Sequence, residues 1–317
     1  MIKKQLIRDL KKDDLVNDIF VVKFKKPIEP YRNGYKFELR LGDSSKEIMC
    51  KYWGPQEEAK VRLLYDLIKP DSVVQVQGRV NEWNNQLEVS CNESDIIRVL
   101  GADEYDIKDF VRQSEKDIEI MYKELLARIA SVEDIEIRIV LEKLFLDKIF
   151  SEEFKRCPAA MYKHHGWIGG LLEHTLSVVK LCEEIQRLHP KMRKDLLIAG
   201  AMLHDIGKMQ EFAVTTSIRM TAEGMLLGHV LKGVEKLSEA MDEAKTPKTM
   251  RNKLLHIMIT HMGEYGSSKK PTMPEALCVF LADQLDAQVT QMEDLKNNAS
   301  TEDDFIYHKD FGNIYLK

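Results

Sequence analysis

Ala201-Met202-Leu203-His204-Asp205-Ile206-Gly207-Lys208 closes an apolar run that begins at Leu196 and sets an imidazole beside a carboxylate. On a helix the two side chains stand about 100° apart, so they converge only on a point at the helix edge. Imidazole nitrogen and carboxylate oxygen together suit first-row transition metals. A carboxylate can also bridge two ions. The dipeptide alone is weak, since it recurs by chance. The flanking order sharpens it. His174 sits in Gly169-Gly170-Leu171-Leu172-Glu173-His174-Thr175-Leu176, and His229 follows Gly228. His256 and His261 share a segment, and Asp283 and Asp286 lie in Leu281-Ala282-Asp283-Gln284-Leu285-Asp286. The contexts of His174, His204 and Asp283 are strongly apolar, where a buried His or Asp is costly unless paired or metal-bound. A lone histidine on an apolar face is most often a hydrogen-bonded core residue. The ordered set His174, His204-Asp205, His229, His261, Asp283 is far more specific.

Upstream, the hydrophobic period changes from helical to two. Val16–Phe24, Tyr35–Leu41, Glu47–Trp53, Ser72–Val80 and Gln86–Ser90 read as strands, with turns such as Asn84-Asn85 between them. A helix-like stretch near Glu57–Leu67 precedes the fourth run. Five strands with that insertion suit a small β barrel of the OB type over residues 1–99. From about Asp103 the pattern is helical, with Ile118, Met121, Tyr122, Leu125 and Ile129 recurring at three and four. A second helix is expected through Ile135–Phe150. No Gly or Pro interrupts Ala102–Arg156, so residues 100–160 read as a helical connector. An all-α bundle is expected over 161–317, with helices to about Val289 and an aromatic-rich end, Phe305–Lys317, that packs back on a domain.

The composition is that of an ordinary soluble chain, 44% hydrophobic and 31% charged over 317 residues. No apolar run is long enough to span a bilayer, and Met-Ile-Lys-Lys-Gln-Leu has no apolar h-region. The five cysteines form no CxxC pair, which fits a reduced, cytoplasmic protein. Residues 1–99 carry 18 basic and 16 acidic side chains, while the whole chain stands at −5. That bias toward the N-terminal part is mild and reads as readily as a solvated surface.

With these residues in view, the spacing resembles the HD-domain metal-dependent phosphohydrolases, H…HD…H…H…D, over residues 161–290. His165-Gly166-Trp167-Ile168-Gly169-Gly170-Leu171-Leu172-Glu173-His174-Thr175-Leu176-Ser177-Val178, Thr260–Ser267 and Pro274-Glu275-Ala276-Leu277 leading into Asp283–Ala287 resemble the YhaM-type 3′-5′ exoribonucleases. That family also carries an N-terminal OB-fold. One departure is Met262, which stands where the family pattern has a second consecutive histidine. The resemblance implies that His174, His204, Asp205 and Asp283 hold one divalent transition metal. Asp205 would bridge to a second ion held by His229 and His261. Manganese is expected, with iron, cobalt or nickel as substitutes. Lys208 is either a phosphate-stabilising or proton-donating catalytic residue or a solvated helix-end lysine. His165 would line the pocket. His256 lies about 140° from His261 on a helix and reads as core or support. His164, His189 and His308 read as structural or surface residues.

The implied activity is hydrolysis of single-stranded RNA from the 3′ end to nucleoside 5′-monophosphates, with single-stranded DNA as a further substrate. An OB domain would stack bases on aromatics beside basic groups. Trp53 and Trp83, with Lys51 and Arg79, are the substrate-binding candidates, and Lys36 and Arg40 lie close by in sequence. Tyr35 and Phe37 share one strand face opposite Lys36, which suits core positions. Two rival readings stand beside this one: an HD phosphohydrolase for small nucleotides whose OB half serves assembly, and a nucleic-acid-binding protein with a vestigial site. Assembly into a homo-oligomer is compatible with each.

Overall fold

The computed structural model describes residues 2–84, 86–161, 165–263, 266–267, 269–299 and 301–317. His164, Asn85 and the Glu264-Tyr265 part of the quoted motif lie outside the described residues. The chain divides into two compact units, Met1–Arg112 with Thr215–Ser217, and Gln113–Val214 with Ile218–Lys317.

The first unit is an OB-fold sheet domain. Its elements are β1 (Leu15–Lys25), β2 (Glu29–Tyr31), β3 (Gly34–Gly42), β4 (Glu47–Trp53), α1 (Glu58–Leu67), β5 (Val73–Trp83), β6 (Gln86–Asn92) and β7 (Ile97–Val99). The strands run β1-β3-β4-β6-β5-β7, and β1 pairs with β5 as well, so the pairing path returns to its start. β1 does this by dividing its length: Leu15–Val21 pairs with β5 and Val21–Lys25 with β3. A register shift between Val22 and Phe24 accompanies the change of partner, as a bulge does where a strand must bend. β4 and β6 pair in parallel. Alternation along β3 sends Phe37, Leu39 and Leu41 into a core with Phe20, Val74, Val76 and Val89. β2 and β7, three residues each, were not expected; they are too short to show a period.

In the second unit, α2 (Ile118–Ala130), α3 (Ile135–Phe145) and α4 (Lys148–Arg156) each begin at an aspartate. Asp117, Asp134 and Asp147 accept hydrogen bonds from the first-turn amides. Such caps satisfy donors that a helix start leaves orphaned. The single helix expected over Ile135–Phe150 is therefore two, broken where Asp147 starts the second. Phe145, Phe150 and Phe154 pack on one another and share one core with Leu171, Leu172 and Leu203. The expected connector thus belongs largely to the helical body: its apolar stripe needs that core.

There follow α5 (Gly170–Leu188), α6 (Lys194–Leu203), α7 (Lys208–Glu211), α8 (Ala222–Glu243), α9 (Lys248–Thr260) and α10 (Pro274–Asn297). α6 is buried from Leu196 to Leu203, as befits a helix apolar on all sides. The unit is helical but not all-α. Two short ribbons interrupt it: β8 (Phe212–Val214) with β9 (Ile218–Met220), and β10 (Phe305–His308) with β11 (Gly312–Tyr315). The second makes the aromatic C-terminal end a hairpin, with Ile314 buried. Among the described residues, no helix is long and apolar enough to cross a membrane.

Candidate metal centre

Five helices bring the chemistry together at their ends and edges. His174 stands on α5. His204 caps the C-terminus of α6 and Asp205 follows it; His261 caps the C-terminus of α9. Asp283 comes from α10 and His229 from α8. Two glycines make the approach of α8 feasible. A Cβ on Gly207 would lie 1.9 Å from the His229 carbonyl oxygen, so only glycine lets the chain after Asp205 meet α8. Gly228 breaks α8 with φ +71°, a conformation open chiefly to glycine, and His229 follows directly on that break.

Asp205 is the centre of the arrangement. Its Oδ2 lies 3.3 Å from His204 Nε2 and 3.5 Å from His174 Nε2. Its Oδ1 lies 3.4 Å from His261 Nε2 and 3.5 Å from His229 Nε2. One carboxylate thus faces two pairs of imidazoles, one with each oxygen. Asp283 Oδ1 joins the first pair, 3.2 Å from His174 Nε2. The ligand atoms form two clusters that share Asp205: His174, His204, Asp205 and Asp283, and Asp205, His229 and His261, each within 4.8 Å. All but His229 are buried, and the His229 side chain is 14% exposed.

Each imidazole is oriented through its other nitrogen. His204 Nδ1 faces the Ala201 carbonyl at 2.8 Å, and His261 Nδ1 faces the Met258 carbonyl at 2.6 Å. His174 Nδ1 faces Asp286 Oδ2 at 2.7 Å, and His229 Nδ1 faces Glu211 Oε2 at 3.1 Å. With Nδ1 donating outward and the rings neutral, all four Nε2 atoms would present lone pairs toward Asp205. That tautomer is the one a metal needs, and such outer partners set ligand orientation and basicity.

Carboxylates dominate the electrostatics of the site. Burial pulls the His174 pKa down, but its hydrogen bonds to Asp283 and Asp286 outweigh this and raise it to about 9. Burial works against the Asp205 anion too, yet the Lys208 charge and then His204 hold it well below the usual carboxylate range. Asp283 falls to about 2, burial being outweighed by its bond to His174 and the His204 charge. Lys208 is buried, its Nζ 2.6 Å from Asp205 Oδ2. The solvated helix-end reading of Lys208 is therefore excluded. Burial is outweighed by Asp205 and then Asp283, so its pKa is raised and it stays cationic.

His165 is buried and reaches the cluster through Asp286, with Nε2 2.9 Å from Oδ2. Two acidic residues take part that the sequence pattern does not single out, Asp286 and Glu211. Asp286 carried a signal: it lies one turn after Asp283 on the same helix. Glu211 carried none. His256 is away from the donors, with Nε2 accepting the Thr272 amide at 2.9 Å.

On the strand unit, Trp53 is half-buried, donates its indole N–H to Ser90 Oγ at 3.1 Å and meets Tyr31 edge-on. Trp83, at the end of β5, is 66% exposed. Phe37 is buried and Tyr35 packs against the core, as alternation required. The basic candidates are paired: Lys51 with Glu88 at 2.6 Å, Arg79 with Asp13 at 4.0 Å and Lys36 with Glu29 at 3.5 Å.

Comparison with known proteins agrees with both halves. The HD domain family matches residues 171–288, and the OB-fold nucleic acid binding domain family matches residues 21–100. The chain is 29% identical over 263 residues to the 3′-5′ exoribonuclease YhaM of Oceanobacillus iheyensis, covering 82% of this chain and 80% of that one. Among solved structures, the OB domain of a Thermoplasma acidophilum protein is 18% identical over 32% of this chain and 90% of its own, with a TM-score of 0.25. A replication protein A heterotrimer bound to ssDNA is 22% identical over 38% of this chain and 29% of its own, with a TM-score of 0.26. The chain thus joins an OB-fold nucleic acid binding domain to a helical HD domain, and it resembles the YhaM-type 3′-5′ exoribonucleases.

Proposed function

We propose that this chain is a metal-dependent 3′-5′ exoribonuclease that degrades single-stranded RNA to nucleoside 5′-monophosphates. The observation that carries the reading is the Asp205 carboxylate set between two pairs of imidazoles whose outer nitrogens are all fixed. The donor set suits transition metals: nitrogen and carboxylate oxygen, buried, with Nε2 atoms convergent. His174, His204, Asp205 and Asp283 would hold one ion, and Asp205, His229 and His261 a second, with manganese, iron, cobalt or nickel suited to these donors. Such ions would supply an acidified water as nucleophile and neutralise charge on the phosphodiester.

The protein's own groups do the rest. Asp286 and Glu211 keep His174 and His229 turned inward. Lys208, cationic and buried, holds a proton beside Asp205 and is placed to donate to a phosphate oxygen rather than to act as a base. His165 would support the site through Asp286 and line the substrate pocket beside it. Polarity from the 3′ end is supported by the resemblance to the YhaM enzymes. Five unpaired, buried cysteines fit a reducing, cytoplasmic setting.

A second reading, hydrolysis of small nucleotides, is favoured by one observation: the basic candidates of the strand unit are each paired with a carboxylate, which leaves little free charge for a phosphate backbone. Substrate length and blocking separate the two. With manganese, a 5′-labelled single-stranded RNA should shorten stepwise, a 3′-blocked one should resist, and a circular RNA should stay intact. Cuts within the circle, or turnover confined to mononucleotides, would overturn the proposal.

A further inference from the structure

α10 carries Asp283 and Asp286 on its inner side, where Ala276, Val279, Ala282 and Ala287 are also buried. Its outer side is apolar as well. Leu277, Leu281, Leu285, Val289 and Met292 are 47%, 52%, 52%, 48% and 37% exposed. Their spacings of four, four, four and three place them on one stripe about 22 Å long. A stripe of this kind is costly in water and marks a surface meant to be covered.

The two ends of the stripe are complementary. At the start of α10, Leu277, Cys278 and Leu281 form one wall of an apolar cleft of about 660 Å³, with Leu188 and Pro190 from the end of α5 opposite. At the far end Met292 projects from the helix. A two-fold axis at Leu285 sets each residue beside the one equally far from Leu285 on the second copy. Met292 then falls beside Cys278, midway along the Pro274–Leu281 wall of the cleft. Val289 meets Leu281, and Leu285 meets itself.

Charge agrees with this register. The exposed stripe between Leu277 and Met292 is flanked by Gln284 and Gln288, so no like charges are brought together across the axis. Lys191 lines the cleft, and Glu293 follows Met292; both are exposed and form no ion pair among the described residues. The same axis brings Glu293 of one copy to the Leu277–Lys191 end of the other, twice over.

We propose that the outer face of α10 is the interface between two copies of this chain, packed antiparallel about a two-fold axis at Leu285. The surface is independent of the hydrolytic reading, and its test does not use activity. The intact protein should sediment and scatter light at dimer mass at micromolar concentration. Leu285→Asp sets two carboxylates against each other and should give monomer mass with an unchanged helical circular dichroism spectrum. Lys191→Glu should weaken the dimer about fivefold for each pair broken, and adding Glu293→Lys should restore it. Leu285→Cys should form a disulfide between chains when reductant is withdrawn; this decides the matter if Leu285→Asp unfolds. Monomer mass for the unaltered protein up to about 100 µM, dimer mass for a folded Leu285→Asp, or no cross-link through Leu285→Cys would overturn the proposal.

Discussion

Asp286 grips His174 from outside the donor cluster: its Oδ2 lies 2.7 Å from His174 Nδ1, one turn of α10 beyond Asp283, which faces Nε2 of the same ring. The ring is thereby held at both nitrogens by one helix. The same Oδ2 also holds His165.

Asp286→Asn should therefore weaken metal binding about 10- to 100-fold, measured by calorimetry on chelator-stripped protein, and Asp286→Glu should recover part of the loss. The Michaelis constant for RNA should change little at saturating metal. A variant with unaltered metal affinity would mean that Asp286 does not orient His174.

Metal loading should depend on pH in a defined direction. His174 holds its proton up to about 9 in the metal-free protein, above the ordinary histidine value of 6.5. A raised pKa stabilises the metal-free fold fully below about 6.5, and that contribution is lost as pH rises through about 9. Metal must displace the proton, so its apparent affinity should rise about tenfold per pH unit below 9 and level off above. Titrations at several pH values check this, and a flat profile would contradict it.

Lys208→Met keeps the side-chain length and removes the cation beside buried Asp205. Removing one partner of a buried pair costs about 3 kcal/mol, so the metal-free variant should unfold at a lower temperature. Metal supplies positive charge to the same carboxylate and should recover more stability in the variant than in the parent. Thermal melts with and without metal decide it.

Trp83 is the exposed aromatic of the two candidates, whereas Trp53 is engaged with Ser90 and Tyr31. Trp83→Ala should raise the Michaelis constant for long RNA roughly five- to a hundredfold and leave a small phosphodiester such as bis-p-nitrophenyl phosphate unaffected. Lys51→Ala should alter the salt dependence of binding little, because Glu88 already occupies that lysine. Equal effects of Trp83→Ala on both substrates would argue against stacking.

Much of the fold was legible because its signals are local. Alternation marked the five long strands, and Met121, Leu125 and Ile129 marked α2. Where a side chain acts on nearby backbone the pattern was silent: the Asp147 carboxylate caps a new helix and splits an apolar run that reads as one, since apolar period does not register a cap. The short ribbon Phe212–Val214 with Ile218–Met220 has too few residues for any period. At the site, the order of His and Asp was readable and their convergence was not, because it depends on close approaches such as Gly207 against His229. Glu211 lay beyond reach of the sequence, since nothing local ties it to a histidine in the next helix. Lys208 was ambiguous until its burial against Asp205 was seen.

The proposed hydrolysis runs through metal held at the Asp205 carboxylate. Its most direct test pairs metal content with RNA hydrolysis for the parent and Asp205→Ala after chelation and reloading with manganese. The parent should lose hydrolysis on chelation and regain it on reloading, and a folded Asp205→Ala should bind less manganese and hydrolyse no RNA at either stage. Full hydrolysis by Asp205→Ala, or by the parent stripped of metal, would contradict it.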